Sequence, residues 1–569
     1  MITDLKINEE KKKEYYEKGY WTHDTIADIW ERTSAAHPDR EYVCDDTGSR
    51  LTYGEVDDKA GRVAAWLVAE GVEAGDVVTL QFPTWAEFTI AYVAVLKVGG
   101  VVHPVPRNYN DVDLEYAMNL VGSRAYLSPT FSHNTDYEAQ ILSVRDAIPS
   151  LAAIAVLDKQ APSHSELPTF DDIYGRFEPL REPVAVSADS VACILPTSGT
   201  TGKPKQSMLT HNNILFSERV FTSELGRTQG DVMFMPSPLN HATGFFHGLI
   251  SPLLLGGRAV LQQDFRPREA IELMNAEGVT WSMSATPFIY DIVKYLDAHP
   301  DESLPTYVLH SCGGAPVPGA LIDRAHNHDI LLCEIFGSTE SCPHVFVPPS
   351  KCVEWNGDWS GIPFPGIEVR YIDEQGNDVA PGVQGEHISR GPHQFVGYLN
   401  EPERTDRALS LSGVFDECMW IIGNPLASTL AVISGLLAFS FTGMCVVIGA
   451  LMFLTELTTE PPSQTQLARA EGISRKEYRG RVGHHRHARR PPGRAHLHLR
   501  GASGGHGADP GVGHGLPGRR GRAQAPVARA HRDHRRDPRH RHWQGEALHP
   551  RANLEGAHGS GVISSPSVE

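Results

Sequence analysis

Thr197-Ser198-Gly199-Thr200-Thr201-Gly202-Lys203-Pro204-Lys205 is a run of hydroxyls and glycines closed by two lysines, and only Pro196 separates it from the apolar run Val191-Ala192-Cys193-Ile194-Leu195. A short apolar strand feeding such a loop makes a donor-rich cradle. Glycines let the backbone approach a polyphosphate, hydroxyls and amides donate hydrogen bonds, and lysines supply counter-charge. The P-loop pattern of Gly, four residues, then Gly-Lys-Ser/Thr is not met, because position 197 is Thr and Pro204 follows Lys203. A Ser/Thr/Gly linker would explain the composition but not the order of strand, loop and lysines.

Ahead of this stretch the chain alternates helix and strand. Val56 to Glu70 carries Val63, Ala64, Trp66 and Leu67 on one helical stripe, and Gly71 stops it. Val77-Val78-Thr79-Leu80 reads as a short strand ended by Pro83. Trp85 to Val98 reads as a second apolar helix, closed by Gly99-Gly100 before the strand Val101-Val102. This βαβ rhythm predicts an α/β fold with a mostly parallel sheet and helices on its faces. Trp85 and Tyr92 fall on the apolar stripe and are read as core.

The chain has 569 residues, too many for one core, so two or more domains are expected. Its hydrophobic fraction of 41% is that of a folded protein. A formal charge of −18, unevenly spread, argues against a nucleic-acid binder. The eight cysteines contain no C-x-x-C pair, which suggests neither a zinc site nor a disulfide framework. Met1 to Tyr20 is Lys/Glu-rich without an apolar core, so no secretory signal is expected and a cytoplasmic location is the default.

With the phosphate-type loop as its first motif, the chain resembles the adenylate-forming (AMP-binding) superfamily, and within it the acyl-CoA synthetases, from about residue 20 to about residue 415. The resemblance implies that a carboxylate and ATP form an acyl-adenylate and pyrophosphate, after which the thiol of coenzyme A displaces AMP. It also implies magnesium and cationic side chains, because two anions must be brought together. The expected ligands are thus ATP or AMP, Mg2+, coenzyme A and a small carboxylic acid, with no nucleic acid. In the loop, the resemblance assigns Thr197, Ser198, Gly199, Thr200, Thr201, Gly202, Lys203 and Lys205 to the phosphates.

Further motifs follow in the family's order. Pro238-Leu239-Asn240-His241-Ala242-Thr243-Gly244 resembles the segment that gates the acyl pocket, which makes His241 a candidate catalytic-site residue. Gly313-Gly314-Ala315-Pro316 resembles the turn that offers Gly314, Ala315 and Pro316 to the adenine. In Glu334-Ile335-Phe336-Gly337-Ser338-Thr339-Glu340-Ser341, the resemblance places Phe336 on the adenine, Thr339 at the α-phosphate and Glu340 on magnesium. A hard cation bridging phosphate oxygens wants an anionic oxygen ligand, which Glu supplies. Gly385-Glu386 and Gly391 to Tyr398 resemble the family's β-rich subdomain. The fold implied is a large N-terminal lobe of packed mixed and parallel sheets with helices, plus a small β-barrel-like subdomain. Gln206 stands where the family usually has glycine, which is expected to stiffen the loop.

From about Asp416 the pattern departs. Gly413-Val414-Phe415-Asp416 is followed by Glu417-Cys418-Met419, so Met419 sits where the family's ribose-binding aspartate belongs, and no Gly-Arg-x-Lys-Asp hinge follows. Cys418 to Thr455 holds no charged residue, and Leu426 to Leu454 is long enough to span a bilayer. Such a span would interrupt a soluble fold where its lobes normally meet. The chain is therefore divided into an AMP-binding lobe at 1–415, an atypical apolar insert at 416–470, and a disrupted C-terminal lobe at 471–569.

The last part reads as a coding frame slipped by one nucleotide. From Arg479 it is rich in Arg, His, Gly and Pro, with no lysine, phenylalanine or tyrosine and no apolar period. His542-Trp543-Gln544-Gly545, encoded CAY-TGG-CAR-GGN and read one base later, becomes Thr or Ile, then an obligatory Gly, then Lys or Arg. With the residues upstream, the shifted frame permits Pro-x-Thr-x-Thr-Gly-Lys, which looks like the family's C-terminal motif bearing its catalytic lysine. Gly472 to Glu477 still resembles the opening of the small lobe in the present frame, which places the slip near codon 478. The small α+β lobe is then not expected to form. Two other functions stay open at this stage: a membrane-anchored nucleotide-binding remnant without catalysis, and an adenylating enzyme with an acceptor other than coenzyme A. The acid is bounded only to the medium-chain, alicyclic and aromatic classes.

Overall fold

In the computed structural model, the described residues are 2, 5–197, 204–373 and 375–410. The chain divides into two units, Met1–Cys445 and Val446–Glu569, and every described residue belongs to the first. The readings made of 416–470, with its apolar span at 426–454, and of 471–569 fall outside the described residues.

The βαβ pattern forms where the residues call for it. Tyr53–Ala69 is a helix opened by a capping box, in which Thr52 and Glu55 each satisfy the other's backbone N–H. Val63, Ala64, Trp66 and Leu67 lie on its buried face. Val77–Leu80 and Val101–Pro104 are parallel neighbours, with Val77 opposite Val101. The helix between them starts at Phe88 rather than Trp85, because Pro83 to Glu87 turn the chain first. All ten of its residues are buried, so it is covered on every side. Trp85 and Tyr92 are core: Tyr92 shares a 2.7 Å hydrogen bond with Tyr42, and the Trp85 indole donates to Gln263.

Two large sheets carry the unit. The first has seven strands, in the order Gly397–Tyr398, Lys205–Thr210, Val191–Thr197, Val101–Pro104, Val77–Leu80, Ala125–Pro129 and Ala153–Leu157. The second has nine. Its centre runs Leu331–Ser338, Leu309–Gly313, Trp281–Ala285, Val232–Met235, Arg258–Leu261 and Glu41–Asp45, all parallel. Antiparallel strands close both edges, Arg50–Thr52 on one side and Cys342–Phe346 with Ile362–Pro363 on the other. One continuous hydrophobic core draws on both sheets.

Of the β-rich subdomain, the described part is an antiparallel ribbon of Glu368–Ile372 with Glu386–Arg390. Gly397–Tyr398 does not stay with it. That pair joins the seven-stranded sheet beside Lys205–Thr210, with Ser207 opposite Tyr398. Among the described residues, no helix is long and apolar enough to cross a membrane. The six cysteines among them are buried and free.

Candidate active site

Parallel strands deliver their carboxyl ends to one edge of a sheet, where ligands of open α/β folds bind. In the nine-stranded sheet, the strands ending at Met235, Gly313 and Ser338 lead respectively into Pro238–Gly244, Gly314–Pro316 and Thr339–Glu340. Three motifs scattered over about a hundred residues of sequence are thereby brought to the same edge.

After Met235 the chain turns through Pro238-Leu239-Asn240 and enters a stretch of π-helix at Thr243–Ile250. Gly244 is required there. A Cβ would lie 2.0 Å from the Pro238 carbonyl oxygen, so any side chain would force the turn open. His241 is held by its Nδ1, which accepts from the Thr243 N–H at 3.2 Å, and by its carbonyl, which accepts from the Phe245 N–H at 2.9 Å. The imidazole is accessible, yet enough protein surrounds it that burial lowers its pKa. The neighbouring His247 lowers it further, and both effects favour the neutral ring near pH 7.

Gly313 ends its strand buried, and Gly314 and Pro316 are exposed, with Ala315 half-buried between them. The Ala315 carbonyl is held by the Thr286 hydroxyl at 3.2 Å. One strand over, Phe336 is half-buried and lies edge-on to two histidines, His344 at 5.1 Å and His387 at 5.0 Å. Those rings bond each other through their Nε2 atoms at 2.9 Å. Burial lowers the pKa of both, to about 4 for His387, so the support behind Phe336 is uncharged. Glu334, two residues earlier on the strand, is buried with its pKa raised to about 7 by desolvation, against a lowering by the Ser360 hydroxyl.

The strand then turns sharply. Gly337 allows it, since a Cβ there would sit 2.1 Å from the Cys342 carbonyl oxygen. Ser338 and Ser341 brace the turn with hydroxyl and amide bonds of 3.0–3.2 Å, and Thr339 is half-buried within it. Glu340 is only 8% exposed. Its Oε1 accepts from the Tyr398 hydroxyl at 2.7 Å and lies 3.7 Å from the Lys205 ammonium. Lys205 in turn donates to the Tyr398 oxygen at 3.1 Å and sits 4.6 Å from the centre of that ring. The lysine that closes the first motif and the glutamate of the Glu334–Ser341 motif therefore share one buried cluster.

The stems of the phosphate-type loop are an antiparallel pair, with Thr197 opposite Lys205. Ser198, Gly199, Thr200, Thr201, Gly202 and Lys203 lie outside the described residues. Thr197 Oγ1 is buried and has no hydrogen-bond partner among the described residues, a donor left available at the mouth of the hairpin. Gln206 points into the core. It is buried against His103, whose pKa burial lowers to about 4.

A carboxylate oxygen suits a hard divalent cation, which takes few protein ligands and completes its shell from phosphates and water. Glu340 meets that requirement. The close group Glu41, Cys44 and Glu277 does not, because Arg50 and Arg258 already pair with both carboxylates. Reading the sequence missed Tyr398, His344 and His387 as site residues. Only Tyr398 carried a signal, as the last residue of a stretch assigned to the β-rich subdomain.

Comparison with known proteins agrees with this geometry. The model of the AMP-binding enzyme family matches residues 30–399. The chain is 37% identical over 413 residues to the medium-chain fatty-acid–CoA ligase of Escherichia coli (strain K12), covering 73% of each protein. It is 29% identical over 365 residues to a feruloyl-CoA synthase of Amycolatopsis sp, covering 64% of this chain and 69% of that one. The crystal structure of a long-chain-fatty-acid–CoA ligase from Archaeoglobus fulgidus superposes with a TM-score of 0.61 at 21% identity, over 68% of this chain and 79% of the other, and shows the same fold. With three of its motifs gathered on one sheet edge and its sequence matched from residue 30 to 399, the chain belongs to the AMP-binding enzyme family.

Proposed function

We propose that this chain derives from an ATP-dependent acid:CoA ligase and that its front lobe binds ATP and the acid. The reading is carried by one observation: Lys205 and Glu340, from the two strongest motifs, meet around Tyr398 in a buried cluster, with Glu340 two residues past the end of the strand that carries Phe336. In the reaction, a carboxylate oxygen attacks the α-phosphorus of ATP and the bond to pyrophosphate breaks, leaving acyl-AMP. The thiolate of coenzyme A then attacks the acyl carbon and AMP departs.

Each residue has a place in this scheme. Phe336 stacks on adenine, and the backbone of Gly314, Ala315 and Pro316 meets its edge. Thr339 donates to the α-phosphate. Thr197, Ser198, Gly199, Thr200, Thr201 and Gly202 cradle the outer phosphates, with Lys203 and Lys205 as counter-charge. Glu340 holds Mg2+, which when bound offsets the charge on the phosphates. His241, with its pKa lowered, borders the acyl pocket. Behind it Phe245, Phe246, Leu249 and Ile250 are buried. Medium-chain fatty acids are the first acids to test, since the 37%-identical relative is named for them.

Catalysis by this chain is expected to be crippled. Met419 replaces the ribose aspartate, and neither the hinge nor the catalytic lysine is present in frame. Loss of one transition-state donor commonly costs about 3 kcal/mol, or roughly a hundredfold in rate. The test is equilibrium binding of ATP and AMP to the full chain, beside ATP–pyrophosphate exchange and thioester formation with octanoate. We expect measurable nucleotide binding with little exchange or thioester. Brisk thioester synthesis would refute the loss of catalysis, and failure to bind either nucleotide would refute the reading as a whole.

A further inference from the structure

Tyr398 is the junction of the site. Its hydroxyl donates to Glu340 Oε1 at 2.7 Å and receives the Lys205 ammonium at 3.1 Å, while its ring faces the same ammonium at 4.6 Å. These partners are 58 and 193 residues away in sequence. The tyrosine is itself tightly fixed. It is 5% exposed, its N–H donates to Thr405 Oγ1 at 2.9 Å, its strand pairs with the one that starts at Lys205, and its ring packs edge-on against Phe395 at 4.8 Å. The Phe395 N–H donates to the Glu340 carbonyl at 2.8 Å, so the same short segment holds both the backbone and the side chain of Glu340.

A carboxylate has two oxygens and rotates freely unless one is engaged. A fixed hydroxyl on Oε1 sets the plane of the group and leaves Oε2 as the oxygen for a cation. Hydrogen bonds of this kind to metal ligands orient the ligand and commonly change metal affinity by 10–100-fold. Resting on the nucleotide and metal reading above, we propose that Tyr398 is a positioning residue for the divalent cation, presenting Glu340 to it. A plain core tyrosine would need neither a carboxylate nor an ammonium on its hydroxyl.

Tyr398→Phe removes only the hydroxyl and keeps the ring. Mn2+ binding to the ATP complex of the full chain, followed by electron paramagnetic resonance, is the readout, together with ATP affinity in EDTA. We expect Tyr398→Phe to weaken Mn2+ binding by about tenfold while ATP affinity in EDTA and the melting temperature stay near those of the parent. In a Glu340→Gln background the same change should have no further effect on Mn2+, since Tyr398 acts through that carboxylate. Unchanged Mn2+ affinity would overturn the proposal. So would an equal loss with and without metal, which would mark a structural role. If Glu340→Gln itself leaves Mn2+ binding intact, the assignment of Glu340 is wrong, and the function proposed above fails along with this inference.

Discussion

Glu334 shows how much one buried carboxyl can decide. Its pKa rises from an ordinary 4.5 to about 7 because burial penalises the charged form and one serine hydroxyl only partly offsets it. Between those values the folded chain holds a proton that the unfolded chain has released. The contribution to stability is therefore full in acid and is lost as pH rises through 7. A shift of that size corresponds to about 3 kcal/mol. Glu334→Gln should melt higher than the parent at pH 8, and the gap should close toward pH 5. Parallel melting-temperature profiles for the two proteins would show that Glu334 is not held protonated. None of this was legible in the sequence, where Glu334 was merely the first letter of a motif. The roles of Phe336, Thr339 and Glu340 could be expected from residue order alone; their neutral histidine support and tyrosine partner could not.

At the scale of elements, helices and strands were readable wherever apolar periodicity and capping agreed. The strand at Val77–Leu80 and the helix ending near Gly71 lie where the pattern puts them. The π-helix at Thr243–Ile250 was not foreseen, because no local signal separates it from an α-helix. Its entry depends on Gly244 packed against Pro238. Gly244→Ala should destabilise the chain by about 2 kcal/mol through that overlap. It should also weaken acid binding while AMP affinity holds, because the displaced turn carries His241 and not the adenine cradle. Thermal melts and paired titrations check this, and an unaltered melting temperature would contradict it.

For the molecule as a whole, the helix Phe88–Lys97 is buried all round and still ends in a lysine. Lys97 is 1% exposed and pairs with Glu31 and Asp57, the latter at 2.9 Å and also held by the Trp30 indole. Removing the cation leaves two half-buried carboxylates facing each other at the edge of the core. Lys97→Ala should cost about 3 kcal/mol, read as a lower urea midpoint with an unchanged slope. A shift within experimental error would mean that these ion pairs do not hold the helices Ile26–Ala36, Tyr53–Ala69 and Phe88–Lys97 together. The site edge lies elsewhere in the fold, so nucleotide affinity should follow only the loss of folded protein.

By itself the sequence determined the fold class, the family and the order of the motifs, because periodicity, glycine placement and loop chemistry are local properties that neighbouring residues express together. It also showed where the pattern fails, since Met419 and the lysine-free tail are visible without any coordinates. Only the tertiary structure decided which residues meet. Tyr398 could be taken for part of the β-rich subdomain until strand pairing set it beside Lys205 and under Glu340. Gln206, notable in the sequence only as a departure from glycine, is a core residue against His103. The physical reason is the same for both: side-chain partners and burial depend on strand order across the sheets, which brings together residues almost two hundred positions apart and leaves no mark on the residues that flank them.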